Sequence, residues 1–194
     1  GETLPHVHRV TFTRGGRRQV QLDGKRPRSS AAYAQSLPVV LFHPGDLTLT
    51  TGAPEPRRAF LDRLLERVDE TYAAALTAYT RALSSRNRLL KAESPNRHAI
   101  QAIKAYDELL ASTGTVIGQA RAVLLEALGP VVSEIFREVS GEGPGITLQY
   151  EPRVTPELSA LRRALEQSFD KDLARGFTAE GPHADEVAVR LQAT

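Results

Sequence analysis

The stretch Val39–Asp62, VVLFHPGDLTLTTGAPEPRRAFLD, decides how this chain is built. Val39, Val40, Leu41 and Phe42 are consecutive, apolar and mostly β-favouring, the pattern of a strand buried on both faces. A polar, turn-rich segment follows. From Pro54 the period changes, and Phe60, Leu61, Leu64, Leu65 and Val68 fall at helical spacing. An interior strand therefore empties into a loop, and the loop launches an amphipathic helix.

Downstream, Tyr72, Leu76, Tyr79, Leu83 and Leu90 continue the helix in near-heptad steps, interrupted at Arg86 and Asn87. Glu93–Asn96 (ESPN) holds a proline and turn formers, so the chain ends or reverses its helix there. Ile100, Ile103 and Leu110 resume the pattern, and Ser112–Gly114 weakly interrupts it. Ile117, Leu124, Leu128, Val131 and Ile135 mark a third long helix, which breaks around Gly141. This predicts an antiparallel helix pair with a/d-type packing, with a plain globular bundle as the alternative.

Upstream, His6–Thr13 and Arg18–Leu22 read as two strands joined by a turn at Gly15 and Gly16. Asp23–Ser30 (DGKRPRSS) is a second turn, and Ser30–Leu37 suits a short helix. Near the other end, Gly145–Pro152 alternates like a strand and Pro156–Ser168 is an amphipathic helix. Glu186–Ala193 is a final strand that needs a neighbour. The expected fold class is α+β: long antiparallel helices, forming a lid, inserted in a partial β-sheet. Three segments follow: 1–52, 53–140 and 141–194.

A chain of 194 residues can hold one core, or one core with an extension. It has no Cys, which excludes disulfides and thiolate metal sites and fits a reducing compartment. No apolar run reaches the roughly 18 residues that a membrane span needs, and no signal peptide is visible. Met does not occur, even at position 1, so the chain reads as a piece of a longer one.

Charge is concentrated mid-chain. Residues 81–104 carry Arg81, Arg86, Arg88, Lys91, Arg97 and Lys104 against Glu93 alone, whereas 105–194 hold 8 basic and 14 acidic residues. Such a stripe attracts a polyanion or forms a solvated helix face. Arg86 sits in the gap of the apolar repeat, where it either faces outward or pairs internally with an acid such as Asp107.

The sequence has no GxxxxGK[ST], no GxGxxG, no nucleophile elbow and no HExxH. His6 and His8 share a strand face but lack a third ligand, so no metal site is assigned. No catalytic residue is assigned either. Three constellations remain. His43-Pro44-Gly45-Asp46 lies at the mouth of the expected strand, where Asp46 either meets a metal–phosphate group or caps a helix from Leu47. Arg57 and Arg58 lie in a helical first turn, where cations oppose the helix dipole, hinting at an external anion. Gly181–Glu186 forms a rigid turn into the last strand.

Four ordered motifs then give a resemblance. Val39–Asp62 resembles the V-x-F-x-P-E-D-L, Gly-x-Pro and R-R-x-F-L-D pattern of the RecF family of bacterial recombination-repair ATPases. Tyr79–Lys91 (YTRALSSRNRLLK), Ala105–Ile117 (AYDELLASTGTVI) and Ala174–Val187 (ARGFTAEGPHADEV) resemble further family motifs in order. Gly45 replaces the family's Glu, and Ala184 and Glu186 depart from its G-P-H-R-D-D, which removes an arginine.

The resemblance implies an ABC-class ATPase head, like those of the SMC proteins, with a helical lid inserted. Residues 1–52 would be partial head strands with a Q-loop-like region, 53–140 the lid, and 141–194 a return segment with head strands. The phosphate-binding loop would precede Gly1, and the signature and Mg²⁺-binding strand would follow Thr194. The implied protein is a cytoplasmic, ATP- and Mg²⁺-dependent DNA-binding homodimer. It would act with RecR and RecO to direct RecA to gapped DNA. His43 and Asp46 would lie near nucleotide, while Arg57, Arg58, Arg88, Lys91, Arg97 and Lys104 would meet DNA phosphates. The rival reading is a protein-interaction module that docks RecR or a second subunit without touching DNA.

Overall fold

The structure, a computed structural model, describes residues 6–16, 18–29, 33, 43–92, 96–141 and 144–192. The expected strand Val39–Phe42 lies outside these residues, as does the expected helix Ser30–Leu37 apart from Tyr33. The chain divides into two compact units, Gly1–Pro44 and Gly45–Thr194.

The first unit is a ribbon of β1 (His8–Phe12) and β2 (Arg18–Leu22), antiparallel, with Val10 opposite Val20. Gly16 closes the intervening turn at φ +73°, its N–H donating to the Thr13 carbonyl at 2.9 Å. The chain reverses again at Asp23 (φ 51°) and Gly24 (φ 75°), both left-handed. That is the two-residue turn Asp-Gly favours, and Lys25 pairs with Leu22 across it.

The second unit begins with a 3-10 turn, Pro44–Leu47, and one helical turn, Thr48–Thr51. Then come α1 (Pro54–Val68), α2 (Glu70–Leu90), α3 (Arg97–Ser140), β3 (Ile146–Glu151), α4 (Leu158–Arg175) and β4 (Glu186–Leu191). A proline opens α1, where its missing N–H costs nothing. The continuous helix expected from Pro54 onward breaks at Asp69, whose backbone is extended. Its carboxylate accepts from the N–H groups of Thr71 and Tyr72 and starts α2. Conversely, the expected interruption at Ser112–Gly114 does not occur. α3 runs for 44 residues, about 66 Å at 1.5 Å per residue. The Ser112 and Thr113 hydroxyls donate to the Leu109 carbonyl within the helix. Gly114 allows close packing, since a Cβ there would lie 3.3–3.4 Å from Pro182, Leu161 and Tyr79.

The antiparallel pair is α2 against α3. Tyr72, Ala75, Tyr79, Ala82 and Arg86 are buried at alternating three- and four-residue steps, as in a coiled-coil seam, and Leu90 follows four residues on. They face Ile103, Leu110, Ala111 and Ile117, and Leu161 and Leu165 of α4 complete the main core. Leu76 and Leu83, expected in the seam, pack on its flank. The short Ala75 and Ala82 occupy its centre, letting the helices approach closely. α3 also contains an 18-residue stretch apolar enough, by length and composition alone, to cross a membrane. One face of that helix is this protein seam.

The final strand has its neighbour. β4 pairs antiparallel with β3, Leu148 opposite Val189, and Leu61, Leu125 and Val187 form a second core cluster beneath them. The fold is α+β, with two separate two-stranded sheets among the described residues.

Candidate nucleic-acid interface

The mid-chain charge resolves into one internal residue and an exposed cationic tip. Arg86 is fully buried in the seam. Its Nε donates to Asp107 Oδ1 at 2.6 Å, and its Nη1 to Asp172 Oδ2 at 2.8 Å and Thr178 Oγ1 at 2.9 Å. The Asp107 pairing is the internal alternative named above. One guanidinium thus joins α2, α3, α4 and the segment after α4. Asn87 extends the link, its Oδ1 accepting from the N–H and hydroxyl of Thr178. Burial raises the Asp107 pKa against the opposing pull of Arg86.

With Arg86 inside, Arg88, Lys91, Arg97 and Lys104 remain exposed around the α2–α3 turn. Arg88 lies in the last turn of α2, where a cation complements the helix dipole. Arg97 opens α3, where it opposes that dipole. Gly176, the left-handed C-cap of α4, lies against Lys91, since a Cβ there would be 3.4 Å from Lys91 Cγ. The last turn of α4, with exposed Lys171 and Arg175, therefore reaches the same end of the arm. The linear charge count did not reveal this proximity.

Arg57 and Arg58 lie elsewhere and are not free surface cations. Arg57 donates to the Leu49 and Gly52 carbonyls and pairs with Glu186 at 2.8 Å, its side chain only 13% exposed. Glu186, one of the departures from the family pattern, is thus the partner of Arg57, and its pKa is lowered. Its slight burial acts against that shift and is outweighed by hydrogen bonds from Arg57 and the Val187 N–H. Arg58 is half-buried and donates to the Asp185 carbonyl at 2.6 Å. Burial and the neighbouring Arg121 lower its pKa.

These arginines sit beside a clamp built on the rigid turn Gly181–Glu186. Gly181 adopts φ +130°, and a Cβ there would meet Tyr79 Oη at 2.5 Å. His183 Nε2 donates to the Thr178 carbonyl at 3.0 Å, which leaves Nδ1 to accept the Tyr79 hydroxyl at 2.6 Å. Burial lowers the His183 pKa and raises that of Tyr79. Arg121, buried in α3, donates to the Pro182 carbonyl at 2.7 Å and to Asp62 at 2.8 Å. Buried Asp185 accepts from the Tyr150 hydroxyl and from the Arg153 N–H. Apart from the local His183–Thr178 contact, these partners lie 32 to 104 residues apart in sequence, so no local signal pairs them.

His43 is exposed and Asp46 is half-buried in the 3-10 turn. The residue preceding the helical turn is Leu47, whose side chain makes no cap bond. Among the described residues no three His, Asp or Glu side chains converge.

A long antiparallel helical arm, tied by buried arginines to α4 and to the segment that leads into β4, defines the class: a mainly helical α+β protein. The chain is similar to a solved recombination mediator protein, RecF with ATP, from the RecFOR pathway. The TM-score is 0.75 at 24% identity, over 94% of this chain and 50% of that one. It is also similar to the DNA replication and repair protein RecF of Myxococcus xanthus, 34% identical over 189 residues, 91% of this chain and 49% of the relative. RecF of Anaeromyxobacter is 36% identical over 185 residues, with the same coverage of both chains. No protein-family model matches the chain. The chain belongs to the RecF family, and it spans about half the length of the curated relatives it matches.

Proposed function

We propose that the protein is an ATP-dependent DNA-binding protein of recombinational repair and replication. In this reading it dimerises on ATP with Mg²⁺, and with RecR and RecO helps load RecA at gapped DNA. Support comes from the RecF relatives and from the solved RecF structure with ATP. This chain supplies the arm. The observation that carries its role is the exposed cationic tip on a rigid seam: Arg88, Lys91, Arg97 and Lys104. Such residues neutralise phosphates and position DNA without reading its sequence. Arg57 takes no part, being held by Glu186. His43 and Asp46 would lie toward the nucleotide-binding half of the protein.

Changing Arg88 and Arg97 together to Ala in the full-length protein should weaken binding to unrelated duplexes alike. The slope of log affinity against log salt should flatten by about 2, at roughly 0.9 per contact. A second reading, docking of RecR or another subunit, is favoured by a different observation. Val123, Val131, Ile135 and Val139 form an exposed apolar stripe along α3. If the double variant keeps wild-type affinity and slope but loses RecR, the tip is a protein-docking surface.

A further inference from the structure

The N-terminal ribbon carries a denser positive charge than the arm. Residues 6–29 contain seven Lys or Arg and one acid, Asp23. Six of those cations are described, and all six are exposed: Arg9, Arg14, Arg18, Lys25, Arg26 and Arg28. Among the described residues the acid forms a salt bridge with none of these Lys or Arg side chains. Asp23 Oδ1 accepts from the Val7 N–H and Oδ2 from His6, each at 2.8 Å, which fixes the end of the ribbon. Those bonds hold the Asp23 pKa below its ordinary value.

After the Asp23–Gly24 reversal the chain returns beside β2. A groove of about 880 Å³ lies there, lined by Arg18, Arg26 and Arg28 together with Gln19 and Gln21. Guanidinium groups without an acid partner among the described residues, beside neutral hydrogen-bonding side chains, suit an acceptor of dense, regular negative charge. Duplex DNA presents one charge per about 1.7 Å of axis.

We propose that the β1–β2 ribbon is a second duplex-DNA contact, separate from the arm, gripping the phosphate backbone through Arg18, Arg26 and Arg28. It accepts any sequence, because phosphate contacts position the partner without specifying bases.

The test uses the full-length protein and an arbitrary 30-base-pair duplex titrated across salt. Arg18→Gln, Arg26→Gln and Arg28→Gln together should flatten the salt slope by about 2.7, at roughly 0.9 per contact. The matching triple change to Lys keeps the charge and should keep the slope. If the glutamine triple does not fold, Arg26→Gln and Arg28→Gln singly should each remove about 0.9 and decide the matter alike. Wild-type affinity and slope in the folded glutamine variants would overturn the proposal. So would an unchanged slope with loss of a protein partner, which would make the ribbon a protein-docking face. The Arg88/Arg97 variant runs beside them. A change confined to it refutes the ribbon contact alone, and a change confined to the glutamine variants refutes the arm contact alone.

Discussion

Replacing Arg86 with Met tests what locks the arm. The guanidinium is fully buried, and its two carboxylate partners differ in exposure. The Asp107 side chain is 17% exposed and can rehydrate, whereas Asp172 is fully enclosed. After Arg86→Met, Asp172 keeps the Ser168 hydroxyl and the Ala179 N–H, both at 3.1 Å, and loses its only ionic partner among the described residues. Leaving a buried charge unpaired costs about 3–5 kcal/mol. For a chain of this size that lowers the melting temperature by about 6–20 °C. Urea unfolding should show a lower midpoint at an unchanged m-value. Asp172→Asn in the same chain should recover about 1–2 kcal/mol relative to the sum of the single changes. A loss below about 1 kcal/mol would refute the view that this ion cluster holds the arm.

Four smaller predictions follow from single contacts. Gly181→Ala forces a Cβ onto Tyr79 Oη at a backbone angle L-residues avoid, and should cost about 1–3 kcal/mol in chemical denaturation. His183 has a lowered folded pKa, so the unfolded chain binds more protons below about 6.5; stability should drop as pH falls through that value, and His183→Gln should flatten this step in melting scans. Leu110→Ala, in the seam, should cost about 2–5 kcal/mol, clearly more than Leu83→Ala on the flank. Asp69→Ala removes the α2 cap and should cost about 0.5–2 kcal/mol by urea unfolding.

Much of this fold was legible because its signals are local. Period-two and period-3.6 patterns predicted β2, β3, β4 and the antiparallel pair, since each depends on neighbours a few residues away. Where the reading went astray, short-range chemistry outranked the period. Asp69 splits one apparent helix in two because its carboxylate satisfies N–H groups that the apolar pattern does not register. Ser112–Gly114 fails to split another because the hydroxyls turn back onto their own helix. Charge was harder still. Averaging over residues 1–80 diluted the basic ribbon with the acids of α1 and its flanks, and only the structure shows six exposed cations around one occupied acid.

The interruption of the heptad pattern at Arg86 and Asn87 ties these outcomes together. A polar pair on the buried face of a helix either disrupts the packing or finds partners, because an unsatisfied buried charge is too costly to keep. Besides Asp107, its partners are Asp172 and Thr178, which lie 86 to 92 residues away and reach it only because α4 packs against the same seam. Arg86 could not be read as internal or external until that return segment was in place. The same packing explains why Arg88, two positions on, is exposed. With Arg86 and Leu90 pointing inward, the residue between them faces the opposite side of α2. Burying Arg86 therefore removes one cation from the proposed DNA surface and fixes the direction in which Arg88 is presented. On this reading an Arg86→Met variant that remains folded should lose DNA affinity by loosening the tip, although Arg86 itself touches no phosphate.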